Sequence, residues 1–307
     1  MTARVVVLGI FVADTTYRAE RMPRLGETIL GNSFVLGPGG KGSNQAVAAA
    51  RAGGDVRMLT KLGQDDFAEM ALGVWTGAGV TPVISQSAES YTGAAFIYVE
   101  ESSGNNAIIV APGAAATISA GDVDGWGNEI AQASVLLTQL EQPLDAAYRA
   151  LELAREAGAV TILNPAPAAS LPDDMLALCD YLTPNESEAE GLTGIAVHSV
   201  EDARKAAEAL LEKGVGRVVV TLGENGVLLH GRDRSLHIPA ITAGPVVETT
   251  GAGDAFNGGF ATALAGGAGA EEAARFGVAT AGVSVTRPGA ARSMPDRAEI
   301  EALLAGR

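Results

Sequence analysis

Short apolar runs alternate along this chain with stretches whose apolar residues recur every three or four positions. The runs Val5–Phe11, Val56–Leu62, Val135–Gln139, Val160–Asn164, Tyr181–Thr183, Val218–Leu222 and Gly226–His230 predict strands. They are nearly continuous in Val, Ile and Leu, as strands buried on both faces are. Helical spacing predicts helices near Ser43–Ala52, Asp66–Ala78, Leu144–Ala157, Val200–Lys213, Asp254–Ala265 and Ala270–Val285. Strand-then-helix order predicts an α/β fold, a mostly parallel sheet flanked by helices on both faces. Two segments break the rhythm. Glu27–Gly37 and Tyr91–Ile109 are extended and partly alternating, with a turn at Asn105-Asn106. They predict a small β-sheet lid over the carboxyl ends of the main strands, where ligands gather in such folds. Neither an internal repeat nor a linker-like tract divides the chain. The expectation is one domain over residues 1–307, with lid segments near 14–40 and 91–110 inserted in it.

Charge narrows the partners. A formal net charge of −15 over 307 residues, with no basic stripe, repels nucleic-acid backbones and anionic membranes. An anionic nucleotide stays admissible, because local N–H groups and a metal ion override the global field. Only 5% of residues are aromatic against 47% hydrophobic, so the core is built of Val, Ile, Leu and Ala. A single cysteine, Cys179, excludes an intramolecular disulfide, and its neighbours Leu176, Leu178 and Leu182 predict a small buried residue. The apolar start Val5–Val12 runs into Asp14 and reads as a buried first strand rather than a signal peptide. With no apolar run of membrane-spanning length, the expected location is the cytoplasm.

Glycine, at 39 residues, is about twice ordinary usage, and it concentrates where chemistry is suggested. In Thr249-Thr250-Gly251-Ala252-Gly253-Asp254-Ala255-Phe256-Asn257-Gly258-Gly259 small residues lead into an apolar helix. Such a helix start leaves N–H groups bare at the positive end of the dipole, a site suited to phosphate. A carboxylate in its first turn sits where an acceptor hydroxyl meets that phosphate, so the run predicts phosphoryl transfer with Asp254 as base. The plainer reading is a helix start whose glycines permit close packing. A second cluster, Gly37-Pro38-Gly39-Gly40-Lys41-Gly42-Ser43-Asn44, matches G-x-G-x-x-G. It does not directly follow the first strand, as a dinucleotide fingerprint requires, and lacks the upstream glycine of a Walker A loop. It leaves exposed backbone that can approach a polyol, with Asn44 both donor and acceptor. A third, Thr183-Pro184-Asn185-Glu186-Ser187-Glu188, follows a strand. Asn185 and Glu188 suit either the waters of Mg²⁺ near phosphate or a capped helix start. Glu141, just past a strand end, is either a ligand contact or a solvated loop carboxylate.

Taken in order, these motifs resemble the ribokinase-like sugar and nucleoside kinases, the PfkB carbohydrate kinase family. The resemblance spans essentially the whole chain. Its anchors are Gly39-Gly40-Lys41-Gly42-x-Asn44-Gln45-Ala46, Leu163-Asn164-Pro165-Ala166-Pro167, Thr183-Pro184-Asn185-Glu186 with Glu188, and Gly251-Ala252-Gly253-Asp254. It implies Asp254 as catalytic base and Gly251, Ala252 and Gly253 as anion hole. It implies sugar contacts from Asp14, Gly40, Lys41, Gly42, Asn44 and Glu141. Nucleotide contacts fall on Asn185 and on the Thr221-to-Gly226 turn with Gly223, and Glu188 is associated with Mg²⁺ and phosphate. A monovalent cation, K⁺ by preference, falls at Glu248, Thr250, Ser284, Arg287, Gly289 and Ser293, mostly through backbone carbonyls.

Two positions depart from the family pattern. Val12 stands where ribokinases usually carry Asn, and valine cannot hydrogen-bond a sugar hydroxyl. Glu248 stands at a usual Asp position near the cation. The resemblance implies ATP-dependent phosphorylation of a small sugar's terminal hydroxymethyl group, with D-ribose first. Fructokinase, deoxyribokinase and nucleoside kinase activities are alternatives within the family, and a non-catalytic sugar or nucleotide sensor is the alternative outside it. Apolar residues in Thr92–Val99 would lie bare on one face of a lone lid, so a homodimer through the lid is expected.

Overall fold

The structure is a computed structural model that describes residues 3–306. Its strands are β1 (Arg4–Leu8), β2 (Val12–Ala19), β3 (Ser33–Gly39), β4 (Asp55–Leu62), β5 (Val80–Gln86), β6 (Thr92–Glu100), β7 (Asn106–Gly113), β8 (Val135–Thr138), β9 (Val160–Leu163), β10 (Tyr181–Leu182), β11 (Arg217–Thr221), β12 (Val227–Gly231) and β13 (Arg234–Ile238). Its helices are α1 (Lys41–Arg51), α2 (Asp66–Ala78), α3 (Ala120–Gly125), α4 (Gly127–Ile130), α5 (Leu144–Glu156), α6 (Asp173–Leu176), α7 (Glu186–Thr193), α8 (Val200–Glu212), α9 (Ala252–Ala265), α10 (Ala270–Ser284) and α11 (Arg297–Leu304).

Nine strands form the main sheet in the order β13-β12-β11-β10-β9-β8-β1-β4-β5. From β11 to β5 every pairing is parallel, while β12 runs antiparallel to β11, and β13 to β12. The period of two along each strand divides the core. Val6, Leu8, Leu136 and Leu163 point to one face, covered by Ala146, Ala150 and Leu151 of α5 and Ala206, Leu210 and Leu211 of α8. Val5, Val7, Leu137 and Ile162 point to the other, covered by α1, α2, α9 and α10 through residues such as Ala48, Trp75, Phe256, Phe260 and Ala274. The near-continuous apolar strands thus meet helices on both sides, as their composition demands.

The small sheet has the order β3-β2-β6-β7. Its middle pair, β2 and β6, is parallel and its outer pairs are antiparallel. Asp65 joins the two sheets: it caps α2 through the Ala68 N–H and also accepts the Thr92 N–H at the start of β6, at 2.9 and 2.7 Å.

Several boundaries differ from the sequence reading. β1 ends at Leu8, not Phe11, because Gly9 turns there against α1: a Cβ at Gly9 would lie 2.7 Å from the Gly42 Cα. The chain then enters β2, which its polar Asp14-Thr15-Thr16 stretch conceals. Of the extended segment Glu27–Gly37 only residues from Ser33 onward are strand, and Tyr91–Ile109 is two strands flanking residues 101–105. β5 and β13 were not foreseen. β5 carries Pro82, tolerated because this strand is the sheet edge, and β13 has too few apolar residues to show a run. The short helices α3, α4 and α6, and α11, were also not foreseen, whereas α7 begins at the helix start read after Asn185.

Helices α1 and α9 touch at backbone distance. A Cβ at Gly258 would lie 2.5 Å from the Ala48 Cβ and 2.7 Å from the Ala49 nitrogen. Gly73 in α2 is exposed and would meet nothing within 4 Å. Thermal unfolding of the two alanine variants should therefore move in opposite directions. Gly73→Ala is expected to gain up to about 1 kcal/mol from helix propensity. Gly258→Ala is expected to lose about 1–3 kcal/mol from overpacking. Equal shifts would show that this helix contact can relax.

Candidate active site

Glycine 40 begins the site. It caps α1 with φ of 89°, and a Cβ there would lie 2.6 Å from the Ile10 carbonyl oxygen. Only glycine suits both the left-handed backbone and that contact. The Ser43 N–H then bonds the same Ile10 carbonyl, at 3.1 Å, which anchors α1 to the end of β1. α1 thereby presents Lys41, Asn44 and Gln45 toward α9. At the opposite side Gly251, φ 77°, caps α9 and packs on Ala290, whose Cβ a side chain would approach to 2.9 Å. The first turn of α9 leaves the N–H groups of Gly253 and Asp254 without acceptors. A Cβ at Gly253 would meet nothing within 4 Å, so its backbone faces open space.

Asp254 lies between these two helix starts, 8% exposed. Asn44 Nδ2 donates to its Oδ2 and Gln45 Nε2 to its Oδ1, each at 3.0 Å. Burial pushes its carboxyl above the ordinary carboxylate range, while the Lys41 charge and these two hydrogen bonds pull it back. It lines a cavity of about 180 Å³ together with Lys41, Asn164, Thr183, Asn185, Glu188, Thr221, Thr249, Gly251, Ala252, Gly253 and Asn257. A carboxylate raised by burial beside bare helix N–H groups can take a proton next to a bound anion. A wider concavity of about 470 Å³ opens at the amino ends of β9, β10 and β11. It is remote from every glycine motif, and its Arg155 and Arg217 are paired with Asp180 and Asp233.

The other acidic residues are set around Lys41. Glu141 is partly buried rather than the solvated loop carboxylate its position also allowed, and its Oε2 accepts the Lys41 backbone N–H at 2.7 Å. Burial pushes its carboxyl up to about 7, against that hydrogen bond and the Lys41 charge, with Asp254 and Asp14 adding repulsion. Asp14, on β2, is pushed up to about 6 by burial. A Cβ on Gly39 would strike its carboxyl, so Gly39 gives it room. Gly42 faces inward: a Cβ there would lie 2.7 Å from the Gly9 Cα and 2.9 Å from Gln139 Oε1.

Asn185 and Glu188 form a capping box at α7. Asn185 Oδ1 accepts the Glu188 N–H at 2.8 Å, and the Glu188 carboxylate accepts the Asn185 N–H and Nδ2. Both still line the cavity. Gly223 and Gly226 turn the chain between β11 and β12, both with positive φ. Gly226 has no space for a side chain, since a Cβ would lie 2.1 Å from the Ile238 carbonyl oxygen. Gly223 meets nothing within 4 Å.

The segments expected to hold a monovalent cation do converge. Val247 and Glu248 both donate N–H to the Val285 carbonyl, and Glu248 Oε2 accepts the Gly289 N–H at 2.9 Å. Thr250 adjoins the Gly251 cap. The Ser284 and Ser293 hydroxyls donate to the Ala281 and Ala290 carbonyls. The Arg287 guanidinium is turned to Glu299. Among the described residues no cluster of three His, Cys, Asp or Glu side chains could hold a metal. No helix among them is long and apolar enough to cross a membrane. Cys179 is buried as expected, and burial pushes its thiol up.

Sequence reasoning assigned no role to a group of buried amides and hydroxyls in and behind the cavity wall. Asn164 Nδ2 donates to the Thr183 carbonyl at 2.9 Å, Thr183 Oγ1 donates to Asn257 Oδ1 at 2.7 Å, and Asn257 Nδ2 donates to the Gly253 carbonyl at 2.9 Å. Gln45 and Gln139 complete it. These residues sit inside or beside the motifs, and their uncharged side chains in apolar surroundings were the available signal.

The family model of the pfkB family carbohydrate kinases matches residues 2–297. The chain is 41% identical to the ribokinase of Haemophilus influenzae, covering 97% of each protein. It is 37% identical to the deoxyribokinase of Salmonella typhi, covering 95% of each. The structure of Arabidopsis thaliana ribokinase complexed with ribose and ATP superposes with a TM-score of 0.92, at 32% identity and covering 99% of each chain. The bare N–H groups at the start of α9, the buried Asp254 and the two-sheet architecture agree with that likeness, and the chain belongs to the pfkB family of carbohydrate kinases, as a ribokinase-like sugar kinase.

Proposed function

We propose that this sugar kinase transfers the terminal phosphoryl group of ATP to the terminal hydroxymethyl oxygen of a small sugar, D-ribose first. The observation that carries this reading is Asp254, buried at the α9 N-terminus beside the free N–H groups of Gly253 and Asp254 itself. The hydroxyl proton passes to the Asp254 carboxylate as the sugar oxygen bonds to phosphorus and the bond to ADP breaks. Transfer of this kind is positioning and electrostatics more than covalent work by the protein. Gly251, Ala252 and Gly253 cradle the transferring group. Asp14, Gly40, Lys41, Gly42, Asn44 and Glu141 form the sugar side, where Gly42 acts through backbone packing. Asn185, Thr221, Gly223 and Gly226 form the nucleotide side.

Mg²⁺, when bound, neutralises phosphate charge. Glu188 and Asn185 line the cavity where its waters would lie, and the lack of a carboxylate cage among the described residues suits an ion held mainly by phosphates. The segments bearing Glu248, Thr250, Ser284, Arg287, Gly289 and Ser293 offer backbone oxygens for a monovalent cation, K⁺ by preference. Such a cation would stabilise the loop beneath the anion site.

Val12 supports a second reading, a 2-deoxy pentose as acceptor. It is 4% exposed and lies on the same strand face as Asp14, within a cluster that includes Ile10 and Ala95. An apolar side chain there leaves a sugar hydroxyl without a partner, at a cost of about 1–3 kcal/mol if the hydroxyl is buried.

The small sheet serves as the lid and as the contact of a homodimer. Paired residues place Phe34, Tyr17, Phe96 and Ile109 on one face and Val35, Ile97, Ile108 and Val110 on the face of Asp14. Phe34, Ile109 and Ile108 are each more than half exposed. Apolar residues are therefore bare on both faces rather than the one anticipated, because β6 and β7 follow apolar with apolar.

ADP release with Mg-ATP and K⁺ should be measured across ribose, 2-deoxyribose, fructose and adenosine. Ribose is expected to give the highest kcat/KM. Preference for 2-deoxyribose would move the assignment to the second reading. Asp254→Asn should keep sugar and ATP binding and lose about 10²–10⁴-fold in kcat, and turnover like wild type would remove Asp254 as base. The dimer is checked by solution mass: at micromolar concentration two copies are expected, and one copy would refute it.

Glu141 gives a pH test. Its folded carboxyl holds a proton more tightly than the unfolded one, so stability falls as pH rises from about 4.5 to about 7. The penalty is complete above 7. Glu141→Gln is therefore expected to be more stable than wild type at pH 8, by up to about 3 kcal/mol, and no different near pH 4. The same variant should bind sugar more weakly. Denaturation curves that coincide at pH 8 would contradict the burial argument.

A further inference from the structure

Gln45 is completely buried, behind Asp254 as seen from the cavity, and is not among the cavity's lining residues. Its amide is nevertheless fully engaged. Nε2 donates to Asp254 Oδ1 and to Asn164 Oδ1, each at 3.0 Å, and Oε1 accepts from Gln139 Nε2 at 2.6 Å. We propose that Gln45 is a positioning residue for phosphoryl transfer: it fixes the rotation of the Asp254 carboxylate, and Gln139 fixes the orientation of the Gln45 amide. The proposal rests on Asp254 being the proton acceptor.

The amide of a glutamine can be turned over, exchanging donor and acceptor ends, unless its neighbours decide between them. Here they do. Turned over, Gln45 would aim its oxygen at the Asp254 carboxylate and at the Asn164 oxygen, and its NH₂ at the NH₂ of Gln139. Three attractive contacts would become three repulsive ones. Asn164 is itself oriented, because its own NH₂ donates to the Thr183 carbonyl. Gln139 is confined by two glycines. A Cβ at Gly9 or Gly42 would lie 2.4 or 2.9 Å from its Oε1, so both positions must lack a side chain for Gln139 to reach Gln45. The glycine-rich segment therefore has a second function beyond exposing backbone: it makes room for the amide that orients Gln45.

The chemical consequence follows from charge. Burial favours the neutral form of Asp254, with the Glu141 and Glu188 carboxyls also near it, whereas the Lys41 charge and then the N–H groups of Gln45 and Asn44 favour the carboxylate. Without Gln45, Asn44 alone would hold the carboxylate, and rotation about the side chain would no longer be fixed from both oxygens.

Gln45→Met keeps the side-chain volume and removes the donor. With Mg-ATP and ribose, or 2-deoxyribose if that is preferred, its acid limb of kcat/KM for the sugar is expected to move about one pH unit upward, the equivalent of one hydrogen bond to a charged group. Plateau kcat should fall on the order of tenfold, with KM for ATP unchanged within about twofold. A ¹³C NMR titration of the Asp254 carboxyl, assigned by its loss in Asp254→Asn, should show the same shift without any turnover. Gln45→Glu, which puts a like charge beside Asp254, should move the limb further. Gln139→Met, which removes one of the three contacts that orient the amide, should move it less, in the same direction. An unmoved acid limb and carboxyl titration in Gln45→Met overturn the proposal, whether or not kcat or thermal stability falls. If that variant does not fold, an unmoved limb in Gln45→Glu overturns it instead. Asp254→Asn separates the two failures. Wild-type turnover there defeats the base assignment itself, whereas an inactive Asp254→Asn beside a wild-type-like Gln45→Met defeats only the positioning role.

Discussion

A carboxylate removed from water must be compensated where it stands, and in this protein that requirement falls on the contact between α1 and α9. Asp254 sits in the first turn of α9 and receives its hydrogen bonds from Asn44 and Gln45 of α1. Those bonds form only if the two helices approach to backbone distance, which Gly258 against Ala48 permits. The approach is set in turn by Gly40, whose left-handed conformation starts α1 directly beneath the end of β1. The glycines of the two motifs are therefore one device. Some expose N–H groups to an anion, and others bring the donors of one helix within reach of the acid on the next.

The same geometry explains how an acidic chain can bind an anionic nucleotide. A net charge of −15 opposes any phosphate at long range, but solvent and salt screen that field over roughly a Debye length, about 8–10 Å. The cavity wall sets the Lys41 side chain, the bare N–H groups of α9 and the positive end of its dipole beside the Asp254 and Glu188 carboxyls, whose charged forms burial disfavours. Local donors at contact distance prevail over distant, screened charge. Glu141 accepts the Lys41 N–H and Asp14 is near Glu141, and burial favours the protonated forms of both, which lessens the negative charge close to the site.

Two sheets divide the labour. The main sheet, packed on both faces, fixes the ends of β1, β8, β9 and β10, from which Ile10, Gln139, Asn164 and Thr183 reach the site. The small sheet carries Asp14 and little of the core, and it shows solvent both of its apolar faces. A rigid frame for phosphate chemistry and an incompletely covered sheet on the sugar side suit an enzyme that must admit a sugar and then exclude water.

Much of this was legible in the sequence, because it rests on local physics. Apolar period and helix spacing placed all six long helices to within two residues. Gly251-Ala252-Gly253-Asp254 announced an exposed helix start, and the ordered motifs announced the family. What the sequence left open was decided by contacts between segments far apart in the chain. Val12–Ala19 carries a polar Asp14-Thr15-Thr16 stretch that shows no strand pattern of its own, yet it is a strand because β3 and β6 pair with it. Glu141 reads equally as a ligand contact or a solvated loop carboxylate, and only its hydrogen bond to the Lys41 N–H, 100 residues away, shows that it is drawn out of solvent. Gln45, Gln139, Asn164 and Asn257 are ordinary amides in sequence. They became a network when β1, β8, β9, α1 and α9 were brought to one place, since the direction of a hydrogen bond is a property of two partners and sequence order specifies only one of them.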